Sequence, residues 1–117
     1  MPSNDPAQRF EDILDNIGRI EGYTAGMDAA AFLEDGKTYD AVERCLERIS
    51  EAARKLSVLA EELCPGIAWQ EIRGLGNFLR HEYDQIERER LWLVVERDLA
   101  PLKIAVEAAV DRLRIRD

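Results

Sequence analysis

The sequence is poor in the residues that staple or metallate small proteins. It has two cysteines, Cys45 and Cys64, and a single histidine, His81, in 117 residues. The cysteines lie far apart, each among helix formers, which is the pattern of reduced thiols rather than of a disulfide framework. They read as small buried hydrophobes, because no base is placed nearby to activate a thiolate. One histidine without a cysteine pair leaves no ligand set for zinc, and no metal or cofactor is expected. No wholly apolar run approaches the ~20 residues that cross a bilayer. The opening MPSNDPAQRFED lacks a basic stretch followed by a hydrophobic one, so a cytoplasmic protein with no membrane contact is expected. An excess of positive charge is missing as well: 16 Lys and Arg stand against 24 Asp and Glu, a net charge of -8. This balance argues against broad electrostatic affinity for nucleic acid, since phosphate binding is driven mainly by cations that release counterions. Any RNA would have to be met at a local site or in a groove between two copies.

What the chain does have is helical periodicity. A chain of this length buries roughly two-thirds of the surface its unfolded form exposes, enough for one domain over residues 1–117. Phe10, Ile13, Leu14, Ile17 and Ile20 recur at steps of three and four behind Asp5-Pro6, an N-cap followed by proline at the first helical position. The first helix is expected to end between Tyr23 and Gly26. Asp28 to Leu33 adds a turn or two before a loop at Asp35-Gly36-Lys37. From Thr38, the series Val42, Leu46, Ile49, Ala53, Leu56, Ala60 and Leu63 alternates steps of four and three, the seam of one long helix that stops at Cys64-Pro65-Gly66. Beside the seam, Glu43, Arg44, Glu47, Arg48, Glu51 and Arg54 form a polar face suited to ion pairs one turn apart. A third helix starts at Ala68 or Trp69 and runs to about Tyr83. Ile86, Leu91, Trp92, Val94, Val95 and Leu99 mark a fourth, and Pro101 opens a last helix through Leu113. No strand pattern appears. The fold class is all-α, an up-and-down bundle of four to five helices.

The informative stretch is WQEIRGLGNFLRHEYDQIERERLW, Trp69 to Trp92. On a helix, Asn77 and His81 lie one turn apart and about 40° from each other; Arg73 is a further turn back, and Arg80 is about 100° round from His81. An imidazole beside Asn, Arg and Tyr has the parts of a general acid–base site, with a guanidinium to stabilise an anionic phosphorane-like transition state. On residue types alone, a hydrogen-bonded helix histidine is the simpler reading. From Glu71 to Arg90 there are four arginines and five acids, so the stretch by itself is no basic patch. Glu51 flanks the seam and could orient Arg73 or His81, a solvated acid being the simpler alternative. Trp69 and Trp92 suit core or interface packing better than base stacking. Gly74 and Gly76 each cost about 1 kcal/mol against alanine inside a helix, so either a neighbouring helix or a ligand is expected to come close there.

The arrangement resembles the HepT-like toxins of the HEPN superfamily of helical nucleases. The residues that carry the resemblance are Asp40-Ala41-Val42-Glu43-Arg44, Glu51-Ala52-Ala53, Trp69 before Ile72-Arg73-Gly74, His81-Glu82-Tyr83, and Leu91-Trp92 with Asp98-Leu99, in the family's order from about Phe10 to Leu113. The resemblance implies a HEPN-like bundle that forms a homodimer, with the motif helices of both copies at a shared cleft. It also implies metal-independent ribonuclease action on tRNA or mRNA, with His81 as the acid–base residue and Asn77 beside it. A minimal nucleotidyltransferase antitoxin encoded next door would silence the toxin by moving AMP from ATP to Tyr83. The family's arginine stands directly before the motif asparagine, where this chain has Gly76; Arg73 or Arg80 would have to supply the guanidinium. Without one, the competing reading is a degenerate dimer that only binds its nucleotidyltransferase.

Overall fold

The first three helices each start where an aspartate satisfies their first amides. The computed structural model describes the backbone of residues 5–80 and 85–116 and, within these, the side chains other than those of Asn77, Phe78, Arg80, residues 85–87 and residues 115–116. Helix α1, Pro6–Thr24, is capped by Asp5, whose Oδ1 accepts from the amides of Ala7 at 3.1 Å and Gln8 at 3.4 Å. Asp28 caps the short α2, Ala29–Glu34, through Ala31 N–H. Asp35 caps α3, Gly36–Leu56: its Oδ1 accepts from Thr38 N–H and its Oδ2 from the Thr38 hydroxyl. Such caps contribute about 1 kcal/mol each. Both Thr38 bonds hold the Asp35 carboxyl below the ordinary carboxylate range. The loop expected at Asp35-Gly36-Lys37 is therefore one capping residue, and Gly36 is already helical.

The long seam is also divided. Ser57, at φ 52° and ψ -137°, interrupts it, and Val58–Leu63 form a separate helix, α4. Apolar spacing carries through the break because Leu56 and Ala60 are both buried on either side of it, so periodicity alone could not reveal the kink. Helix α5 is Trp69–Arg80 and α6 is Gln85–Leu93. A five-residue π-helix, Val94–Asp98, then leads directly into α7, Leu99–Arg116. Pro101 does not open a new helix. It has no amide to donate to the turn before it, and the widened turn, in which Leu99 N–H donates to Val94 O, accommodates it without ending the helix.

The described residues contain helices and no strands. Helix α3 packs against α1 on one side and α5 on the other, α7 lies along α1, and α2 rests on α6. The centre is apolar: Phe10, Ile13, Ile17 and Ile20 of α1 meet Val42, Leu46, Ile49 and Ala53 of α3, with Leu102 and Val106 of α7. Trp69 is buried, its Nε1 donating to Cys64 O at 3.0 Å and its ring 6.5 Å from that of Phe10. Trp92 is half-buried, 5.3 Å from the Phe32 ring. Both tryptophans thus pack the fold. Cys45 and Cys64 are free and buried, and burial pushes both thiols above their usual range.

Candidate active site on helix α5

Helix α5 lies against α3, and the contact is close because small residues face each other. Ser50 of α3 is fully buried. Its hydroxyl accepts from Gly76 N–H at 3.2 Å and donates to Arg73 O at 3.0 Å. A Cβ at position 76 would stand 3.0 Å from Ser50 Oγ and 3.0 Å from Arg54 Nη2. Gly76 is where the neighbouring helix comes close, as one of the two expected causes required. Gly74 is exposed with nothing near its missing Cβ, and no packing contact explains it.

Arg73 turns toward the α3–α4 joint. Its Nη1 and Nη2 each donate to a carboxylate oxygen of Glu61 at 2.8 Å, Nη2 also donates to Ser57 O at 2.7 Å, and Nε donates to Ala53 O at 3.3 Å. This bidentate pair raises the Arg73 guanidinium and lowers the Glu61 carboxyl relative to their usual values. The side chain is only 17% exposed, so its donors serve two helix ends and not a ligand. Arg88 is engaged too: it donates to Leu33 O at 2.9 Å and lies over the Tyr39 ring at 4.9 Å.

Glu51 is exposed and receives Arg54 Nη1 at 3.0 Å. Arg54 in turn donates through Nη2 to Arg73 O at 3.1 Å. Glu51 thus reaches α5 through an arginine, and what it orients is Arg54. Arg54 is the residue that sequence reasoning left among solvated charges. The available signal was its place one turn after Ser50, a small polar residue flanking an otherwise apolar seam. Asn77 and Arg80 are in the last two turns of α5. His81 and Tyr83 lie outside the described residues.

On its other side α5 borders a half-open cleft of about 470 Å³ between α3, α6 and the start of α7. Leu46, Ile49, Ile72 and Leu75 form its floor, and Glu71, Arg90, Arg97 and Asp98 are among its lining residues. The class of protein that these features define is a small all-helical bundle in which a glycine-tight helix is followed in sequence by His81-Glu82-Tyr83.

Comparison with known proteins specifies that class. The model of the HepT-like family, described as ribonuclease HepT-like, matches residues 13–109. A Methanocaldococcus jannaschii protein named "Putative RNase MJ1380" is 33% identical over 107 residues, covering 92% of this chain and 98% of the relative. "Probable ribonuclease HepT" of Thermococcus cleftensis is 37% identical over 94 residues, 80% of this chain and 86% of the relative. No solved structure matches. The chain belongs to the HepT-like ribonuclease family, and its helical bundle is of the HEPN-like kind.

Proposed function

We propose that the chain is the toxin-like, RNA-cleaving component of a toxin–antitoxin pair. The observation that carries this reading is the family match itself, which runs through the whole segment from Trp69 to Trp92 and so includes Asn77, Arg80, His81 and Tyr83. In the proposed reaction, His81 takes the proton from a ribose 2′-hydroxyl as its oxygen attacks the adjacent phosphorus. The bond to the 5′-oxygen breaks, that oxygen recovers a proton, and a 2′,3′-cyclic phosphate remains. An imidazole suits both proton transfers near neutral pH, and no metal is needed when a guanidinium stabilises the charge on the phosphorane. Asn77 would help position the phosphate. Of the motif-helix arginines, Arg80 is the candidate for that charge, because Arg73 is bound to Glu61.

The working form is proposed to be a homodimer in the cytoplasm. The cleft beside α5 supports it: its apolar floor is lined by two acids and two arginines, a set that a two-fold contact can pair with itself. The partner is a minimal nucleotidyltransferase whose AMP transfer joins the Tyr83 phenolic oxygen to the α-phosphorus of ATP and releases pyrophosphate. The second reading, a dimer that binds this partner without cleaving RNA, is favoured by Gly76 standing where the family has arginine.

The test is cleavage of tRNA and mRNA by purified protein in excess EDTA. Cleavage by wild type and none by a folded His81→Ala supports the nuclease; full activity in His81→Ala eliminates the His81 mechanism. Co-purification with the neighbouring gene product but no cleavage by wild type selects the second reading. For Tyr83, intact mass after incubation with ATP and the partner should rise by AMP units that are absent in Tyr83→Phe.

A further inference from the structure

We infer that Arg54, on α3 and not on the motif helix, is an RNA-phosphate contact beside Gly76; this rests on the reading of the chain as an RNA-cleaving protein. The two residues are geometrically linked. Arg54 Nη2 lies 3.0 Å from the position of a Cβ at residue 76, so the guanidinium occupies the place from which a side chain at 76 would depart. It enters from the neighbouring helix because glycine leaves the space open. It therefore presents a cation on the turn of α5 that leads from Arg73 to Asn77.

The guanidinium is both anchored and accessible. One bond to Arg73 O and one to Glu51 fix its plane, yet the side chain is 36% exposed. A guanidinium has five N–H donors in a rigid fork, and two bonds to described residues leave capacity for a phosphate. Pre-positioning lowers the ordering cost of binding. Arg73 and Arg88 differ in that their donors are turned onto backbone carbonyls, Glu61 or an aromatic face. Glu51, 54% exposed, is the counter-ion that a phosphate would displace, and its carboxylate can swing into water when RNA arrives. Ser50 completes the device by holding the Gly76 amide and the Arg73 carbonyl, which fixes α5 against the arginine.

The experiment titrates labelled single-stranded RNA against the full-length His81→Ala protein, which keeps the RNA intact, over a series of KCl concentrations. Adding Arg54→Gln should weaken binding about tenfold at low salt. It should also reduce the slope of log affinity against log salt by about 0.7, the value for one lost contact to a single strand. Arg54→Lys should keep the slope, because the charge remains. A structural role for Arg54 would lower the melting temperature without moving the slope. Unchanged affinity and slope in a folded Arg54→Gln overturn the inference. If Arg54→Gln does not fold, Glu51→Gln decides: tighter binding than in a Glu62→Gln control supports the phosphate contact, and equal binding overturns it. If wild type cleaves RNA and only the slope change is missing, Arg54 fails and the nuclease stands. If wild type binds RNA with the Arg54-dependent slope but never cleaves it, the contact stands and the nuclease fails. If no RNA binds at any salt, both fall.

Discussion

Arg73 grips both carboxylate oxygens of Glu61 at 2.8 Å, joining the motif helix to the short α4 across a backbone break at Ser57. The same guanidinium donates to the carbonyls of Ala53 and Ser57, which also accept from the Ser57 and Ala60 amides. Arg73→Ala removes four bonds at once, two of them a bidentate pair made by a side chain only 17% exposed, and is expected to destabilise the protein by about 1–3 kcal/mol. Urea unfolding of the wild type and variant measures this. Loss of less than about 0.5 kcal/mol would mean that water replaces Arg73 freely, as at an ordinary surface pair.

The pair has a pH signature. Glu61 is held below the usual glutamate range, chiefly by its hydrogen bonds from Arg73. Its folded-state value is thus the lower one, so its contribution is fully present above the unfolded value and is lost as pH falls through the folded one. The stability gap between wild type and Glu61→Gln should be constant at neutral pH and close in acid, below the ordinary carboxylate range. Denaturant midpoints collected at neutral pH and near pH 3 read this directly. A gap that widens in acid would contradict the direction of the shift.

The two glycines of α5 should respond oppositely to alanine. Gly74 has open space around its missing Cβ, so Gly74→Ala is expected to raise stability by about 0.5–1 kcal/mol. At Gly76 the same helical gain is offset, because the new Cβ meets Ser50 Oγ and Arg54 Nη2 at 3.0 Å. Arg54 can retreat, but the buried Ser50 hydroxyl cannot without breaking two bonds. Gly76→Ala should therefore fall about 1–2 kcal/mol below Gly74→Ala. Equal melting temperatures for the two variants would show that α5 is free to move off α3.

Ser57 stores backbone strain that glycine would relieve. Its φ of 52° with ψ of -137° is a conformation L-residues avoid, and its side chain makes no capping bond to α4. Ser57→Gly is expected to stabilise by about 1 kcal/mol, the strain removed exceeding the added freedom of the unfolded chain. A lower melting temperature in Ser57→Gly would show that the serine is held there at little cost.

Much of the bundle was legible because its signals are local. Asp5-Pro6 marks the start of α1, the alternating steps of α3 mark its buried face, and Trp69 marks the start of α5. The breaks were not legible. Leu56 and Ala60 keep helical spacing across Ser57, and Pro101 looks like a helix start although a π-helix carries the chain past it. In the candidate site, the residues around His81 and Tyr83 carried the resemblance to the family, while Arg73 looked equivalent to any other arginine of the segment.

Periodicity and capping alone determined that this chain is all-helical, because apolar spacing and capping chemistry act within a few residues of sequence; the HepT-like resemblance rested on particular residues such as His81-Glu82-Tyr83 in their order along the chain. Which guanidinium stands beside position 76 was decided only in three dimensions. Arg54 and Gly76 are 22 positions apart in the chain, and they meet because Ser50 lets two helices approach closely enough for a side chain of one to fill the gap on the other.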